Sequence, residues 1–212
     1  MVRKIELLLA TLLLLGLFSP EIADPDFWWH LKTGQYLVER RALPVPDPFA
    51  FTTTRAHDAY PGESATRYFN LTHEWLAQAV MYLVYAAGGF AGVVLWRAAM
   101  LAAFCGAAGW LAYRRCGGYY RALVATFAAA GVAAGFASDR PFLFTFVLLA
   151  ATIAILEVGR PLWLLPPIFL LWANCHGGFF LGWVTVAAYA AQSWIRRRDW
   201  KLPAWGAAAV LA

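Results

Sequence analysis

The stretch Gly89-Phe-Ala-Gly-Val-Val-Leu-Trp-Arg-Ala-Ala-Met-Leu-Ala-Ala-Phe-Cys-Gly-Ala-Ala-Gly-Trp-Leu-Ala-Tyr113 decides the fold class. Its only charge is Arg97, and Arg114-Arg115 closes it. A helix crosses the hydrocarbon core of a bilayer with about 20 apolar residues, so this segment is long enough to span. The whole chain has the same character. Its 212 residues are 62% hydrophobic, 17% aromatic and 14% charged. An ordinary soluble domain is roughly 45–50% apolar and about 25% charged. These proportions exclude a disordered chain, a disulfide-stapled secreted domain and an ordinary cytosolic enzyme. They predict an all-α polytopic membrane protein with room for about seven transmembrane helices and one large loop.

Working outward, further apolar segments cover 5–18, 122–137, 141–156, 162–175, 179–195 and 202–212. The first follows Arg3-Lys4 and resembles a signal peptide, but Glu21 occupies the −3 position of a cut after Ala23. An uncleaved first helix is the expectation. Pro166-Pro167 interrupts the 162–175 segment, and the chain is expected to end inside its last span. Cys105, Cys116 and Cys175 are scattered, without a CxxC pair, and read as packing residues.

The net charge of +5 matters less than its distribution. With the N-terminus in the cytoplasm, the inner ends carry Arg3, Lys4, Arg114, Arg115, Arg121, Arg160, Arg196, Arg197, Arg198 and Lys201. Short basic cytoplasmic loops follow the positive-inside rule, so no nucleic-acid partner is needed to explain the basic balance. Residues 20–72 then form the first extracytoplasmic loop. All four histidines, His30, His57, His73 and His176, fall on that outer side, with Asp24, Asp26, Glu74, Asp139, Arg140 and Asn174.

Two juxtamembrane helices are predicted. One runs over 26–41, with Phe27, Leu31 and Val38 on one face and Trp28-Trp29 as interface anchors. The second runs over 73–87 through Trp75, Leu76, Val80 and Leu83. Leu43-Pro-Val-Pro-Asp-Pro48 reads as a proline-stiffened connector.

Several outer residues carry chemistry, each beside a plainer reading. Asp24-Pro25-Asp26 pairs two carboxylates that could hold a divalent cation such as Mg or Mn, or supply a base. The same residues make an ordinary helix start, and the two roles are compatible. His30, His73-Glu74 and His176 could complete an acid–base or metal site; no HxxxH or HExxH pattern is present. Asp139-Arg140 sits at a tight outer turn, where a local ion pair is the simple reading. Arg97 lies within an apolar span, where a cation is costly, so it should snorkel outward or face a polar cavity, and binding of an anion such as a phosphate weighs equally with snorkelling. Gly177-Gly178 precede a helix and could admit a phosphate to its N-terminus; close packing or a turn is the plainer reading.

These features resemble the GT-C superfamily of membrane glycosyltransferases, whose members include protein O-mannosyltransferases, oligosaccharyltransferases and aminoarabinose transferases. The similarity lies in a first span, an acidic pair heading a large outer loop, two juxtamembrane helices and a run of further spans. More closely, Asp24-Pro-Asp-Phe-Trp-Trp-His-Leu-Lys-Thr-Gly34, Pro46-Asp-Pro-Phe49, His73-Glu-Trp-Leu76, Arg140-Pro141 and Trp172-Ala-Asn-Cys-His-Gly-Gly178 resemble uncharacterised bacterial multispanning proteins that are usually much longer. The resemblance implies a single GT-C-like module over 1–212 in the bacterial cytoplasmic (inner) membrane. It implies transfer of a sugar from a polyprenyl-phosphate donor at the extracytoplasmic face, with Asp24 or Asp26 as base or metal ligand. Arg97, Arg140 or the Gly177-Gly178 helix start would hold the phosphate, and His30, His73, Glu74, Asp139 and His176 would support them. GT-C enzymes normally continue into a variable module, and nothing here corresponds to it. The alternative is a non-catalytic integral subunit of a larger respiratory or photosynthetic complex. A transporter ranks below both, because polar residues gather outside rather than at the midplane and no internal repeat is present.

Overall fold

The computed structural model describes residues 2–50, 58–159, 161–197 and 200–211. His57, Arg55, Arg160 and Arg198 lie outside the described residues. Every regular element among them is helical: α1 (Val2–Leu17), α2 (Asp26–Arg40), α3 (Glu63–Thr72), α4 (Trp75–Cys116), α5 (Tyr119–Ala133), α6 (Leu143–Val158), α7 (Leu165–Cys175), α8 (Phe179–Arg197) and α9 (Lys201–Leu211). The all-α expectation therefore holds.

α4 is two helices joined across a kink. At Gly89 the backbone takes φ 60° and ψ −155°. That region is essentially restricted to glycine, because a Cβ there collides with the chain. The break separates 75–88, the second predicted juxtamembrane helix, from the apolar segment that follows. Gly117, at φ 68°, ends the second part.

α4 organises the rest, touching α1, α2, α5, α6 and α7. Three apolar clusters result. Leu14 and Phe18 of the first helical region pack with Ala98, Leu101 and Cys105 of α4, Ala130 and Ala133 of α5, and Leu143. Leu148, Leu156, Phe169, Trp172, Val186 and Ala209 join α6 through α9. Phe27, Met81 and Val93 seat α2 on both parts of α4.

The seating of α2 is close. A Cβ on Gly34 would come within 2.0 Å of the Gln78 carbonyl oxygen, so glycine lets the two backbones meet. The buried face of α2 is Phe27, His30, Thr33, Gly34 and Leu37. The sequence reading placed Phe27 on this face correctly. It named Leu31 and Val38, which are half-buried, in place of Leu37, and it left out His30, Thr33 and Gly34, because polar residues and a residue without a side chain carry no hydrophobic signal.

Two other elements differ from expectation. Glu63–Thr72 is helical where only loop was expected, and it has no buried residue. Its start is tied locally by Asp58 to Ser64. Pro166-Pro167 do not interrupt a helix. They occupy the first turn of α7, where a missing N–H costs nothing.

By length and composition, two helical stretches are long and apolar enough to cross a membrane, one within 63–116 and one over 119–136. α6, with 16 residues, and 162–175 are apolar but shorter. At 1.5 Å per residue, 16 residues reach about 24 Å against a hydrocarbon core of about 30 Å. Much apolar surface nevertheless faces outward. Leu8, Leu9, Leu12 and Leu13 of α1 are each more than half exposed.

Candidate functional site

The N-terminal end of α4, the N-terminal end of α6 and the C-terminal end of α7 lie at one end of the molecule. The segments 19–25, 137–142 and 176–178 close that end. The polar residues singled out from the sequence meet there in two adjoining groups.

The first group surrounds Arg140. Its Nε and Nη2 donate to the two oxygens of Asp24, at 2.5 and 2.8 Å, and Nη2 also lies 2.9 Å from Asp26 Oδ2. Asp24 further accepts the Ser138 hydroxyl at 2.7 Å and the Asp26 N–H at 3.0 Å. The helix-start reading and the charged-site reading of Asp24 thus coexist. Arg140 is the main reason the Asp24 carboxyl is held far below the ordinary carboxylate range, with Ser138 and the Asp26 N–H adding to it against the opposing effect of burial. Such a carboxylate is a weak base. Asp26 is the more open of the pair, its side chain 42% exposed against 11% for Asp24.

Beside it, Arg97 is buried and donates to three acceptors: Asp139 Oδ2 at 2.5 Å, the Phe18 carbonyl at 3.2 Å and the Pro20 carbonyl. Of the two expected placements, the polar cavity is the one found, since Arg97 lines one with Asp24, Asp139 and Arg140. Arg97 does not snorkel to the surface, and its charge is already met by Asp139. It is a strut joining the end of α1, α4 and the 138–140 turn. Asp139 Oδ1 accepts no hydrogen bond. Burial pushes the Asp139 carboxyl up to about 6, although Arg97 opposes this. The simple local Asp139–Arg140 pair is also absent; each residue takes a partner distant in sequence. Asp24, Arg97, Asp139 and Arg140 line one cavity of about 530 Å³ with Glu21.

The second group surrounds Glu74. His73 Nε2 lies 3.5 Å from Glu74 Oε1, His176 Nε2 lies 3.8 Å from the same oxygen, and His30 Nδ1 lies 3.8 Å from Oε2. The hydrogen bonds distinguish the three rings. His73 Nδ1 is 3.0 Å from the Phe69 carbonyl and must donate to it. Its Nε2 then faces a carboxylate, which favours the doubly protonated ring, and Glu74 raises its pKa. His176 Nδ1 accepts the Gly178 N–H at 3.0 Å and lies 2.8 Å from the Thr145 hydroxyl. That hydroxyl accepts the Trp172 indole N–H at 3.0 Å. The His176 proton is thereby directed to Nε2, toward Glu74. His30 meets the Gln78 amide at 3.2 Å in a buried setting that lowers its pKa to about 4. Burial raises Glu74, but His73 and the other rings outweigh it and hold the carboxyl below its ordinary value.

Gly178 has its N–H committed to His176, and so it presents no free donor at the start of α8. The plainer reading, a turn, describes it; Gly177 has open space where a Cβ would stand. For a divalent cation the residues fit poorly as arranged. Both Asp24 oxygens are occupied, and among the described residues no group of three or more His, Cys, Asp or Glu is placed to hold a metal ion. A cation would have to displace Arg140.

Sequence reasoning missed Thr145, Ser138 and Gln78. Gln78 was detectable, since it lies one helical turn after Glu74 and so shares its face. Thr145 is a single hydroxyl in an apolar run, and nothing local marks its partner.

His30 yields a pH prediction. Its pKa is lowered on folding, so the unfolded chain takes up a proton first as pH falls through 6.5. Stability present above that pH is lost progressively down to about 4. The amount is on the order of 3 kcal/mol. Thermal unfolding of wild type and His30→Gln between pH 7.5 and 4.5 should show the wild-type advantage shrinking with acid. A difference independent of pH would contradict this account.

Comparison of the chain with protein families, with curated proteins and with solved structures finds no match in any of the three. The fold and site therefore define a class only: a protein helical in every regular element among its described residues, with two helical stretches long and apolar enough to cross a membrane and an ion-paired polar site at one end.

Proposed function

We propose that the chain is a GT-C-like membrane glycosyltransferase, or the N-terminal module of one. It transfers a sugar from a polyprenyl-phosphate donor at the extracytoplasmic face of the bacterial inner membrane. In this reading α1, the part of α4 after Gly89, and α5 to α9 are seven spans, the shorter ones matched by local thinning of the bilayer. α2 and the 75–88 helix lie at the interface, and the N-terminus is cytoplasmic.

One observation carries the reading. Residues from five separate places in the chain, 24–26, 30, 73–74, 139–140 and 176, meet at one end, and the Asp26–Arg140 edge of that group remains open to solvent. Packing alone needs no such half-open pair, because exposed ion pairs contribute little stability. Asp26 is the candidate base that accepts the acceptor's proton. Arg140, steered by Asp24, is the candidate partner for the donor phosphate, and Glu74 with His73 is a proton reservoir beside them. No step is assigned to a metal ion.

The test is a transfer assay with the purified full chain in liposomes, using radiolabelled polyprenyl-phosphate sugars. Donor-dependent labelling of an acceptor is expected. The competing reading, a non-catalytic subunit, draws on outward aromatic surface such as Trp163, Trp200 and Trp205. It predicts no turnover and stoichiometric co-purification with a respiratory or photosynthetic assembly.

A further inference from the structure

A second polar cavity lies at the opposite end of the same helices. α6 carries Thr145 at the first site and Glu157 at this one, about 18 Å apart along the axis at 1.5 Å per residue. The cavity holds about 710 Å³, within the range of roughly 300–1,000 Å³ typical of small-molecule sites. Its cations come from three helices: Arg114 and Arg115 at the end of α4, Arg196 near the end of α8, and Lys201 at the start of α9. Among the described residues the carboxylate in its wall is Glu157. That carboxylate is engaged, since Arg115 and the Tyr189 hydroxyl both donate to its Oε1. Arg114 rests over the Trp110 ring, 5.7 Å from its centre.

We propose that this cavity binds the phosphate headgroup of an anionic phospholipid from the leaflet facing it. The inference rests on the membrane reading above, in which this end is cytoplasmic. A topological signal needs basic residues on loops; it does not require basic ends of three helices to converge on one cavity. Hydrogen-bonding side chains, Gln192 and Ser193, join the cations. The remaining wall is apolar, with Leu156, Leu162 and Leu202. Cations and amide donors beside an apolar wall match an amphiphile better than a soluble phosphate, and basic pockets between spans on the cytoplasmic side are suited to acidic headgroups.

The test uses delipidated full-length protein in neutral detergent, titrated with phosphatidylglycerol and read by native mass spectrometry. Wild type should bind it saturably, with phosphatidylcholine and glycerol 1-phosphate each at least about tenfold weaker. The Arg114→Gln/Arg196→Gln variant should lose at least about tenfold in affinity, since charge-assisted hydrogen bonds to the headgroup are removed. Both arginines are exposed, so the variant should keep the wild-type melting temperature. Undiminished binding by the folded variant, or glycerol 1-phosphate binding as tightly as the lipid, would overturn the proposal. Membrane orientation is read separately by placing Ser193→Cys in a Cys116→Ser background and labelling with an impermeant maleimide. Labelling only in inverted vesicles supports the underlying topology. Labelling from outside the cell overturns the topology itself, whatever the lipid result.

Discussion

If the chain is the transferase proposed above, Asp26→Ala will reduce donor-dependent sugar transfer by about 10²–10⁴-fold, the range expected when a general base is lost. Asp24→Ala will also abolish most of it, but by another route. Asp24 has both oxygens occupied by Arg140, Ser138 and the Asp26 N–H. Its pKa lies far below the usual range. It acts by positioning Arg140, which would otherwise swing toward Asp26 alone. The two variants should therefore separate kinetically. Removing the Asp26 base lowers kcat and leaves KM for the donor nearly unchanged. Asp24→Ala mainly raises KM for the donor, and Asp24→Asn rescues part of the loss, because its single amide oxygen can still accept from the Ser138 hydroxyl and Arg140 Nε while the bonds from Arg140 Nη2 and the Asp26 N–H are lost. Normal transfer in both alanine variants would remove the assigned roles.

Arg97→Ala will destabilise the protein by about 3–5 kcal/mol, the cost of breaking a buried pair by removing one partner. Asp139 is fully buried, and its second oxygen already lacks a partner. Without Arg97 the carboxylate keeps no counter-charge, and the Phe18 and Pro20 carbonyls lose their donor. The sign with pH follows. The Asp139 pKa is raised by burial to about 6 even with Arg97 present. Loss of the guanidinium raises it further, so protonation relieves part of the penalty. The deficit of Arg97→Ala against wild type should thus be smaller at pH 5 than at pH 8. Arg97→Met combined with Asp139→Leu should recover most of the stability, because neither charge is then left alone. Unfolding in mixed detergent, monitored by tryptophan fluorescence, measures all three. A deficit below about 0.5 kcal/mol for Arg97→Ala would show that the strut carries no load.

Helical class, the break before the long apolar segment and the α2 boundaries were legible, because each depends on local properties. Gly88-Gly89 interrupts one apolar run, and Asp24-Pro25-Asp26 opens a helix by short-range hydrogen bonding and fixed φ. The gathering of His30, His73, Glu74, Asp139, Arg140 and His176 at one end was also legible, since alternation of apolar segments places their ends by turns on two sides. α3 was not, because it is a short helix within the polar stretch 20–72 and buries none of its residues.

What the sequence by itself determined is therefore a set of helices, their ends, and the side on which each polar residue lies. Pairing was decided only by the tertiary structure. Arg97 meets Asp139, and Arg140 bridges Asp24 and Asp26, although Asp139 and Arg140 are neighbours in the chain. Three imidazoles share Glu74, and Thr145 orients His176 from another helix. The physical reason is that charge and hydrogen-bond capacity have no period along the chain. A guanidinium takes whichever carboxylate the packing of α1, α4 and the 138–140 turn brings within reach, and burial then makes that one choice hard to exchange.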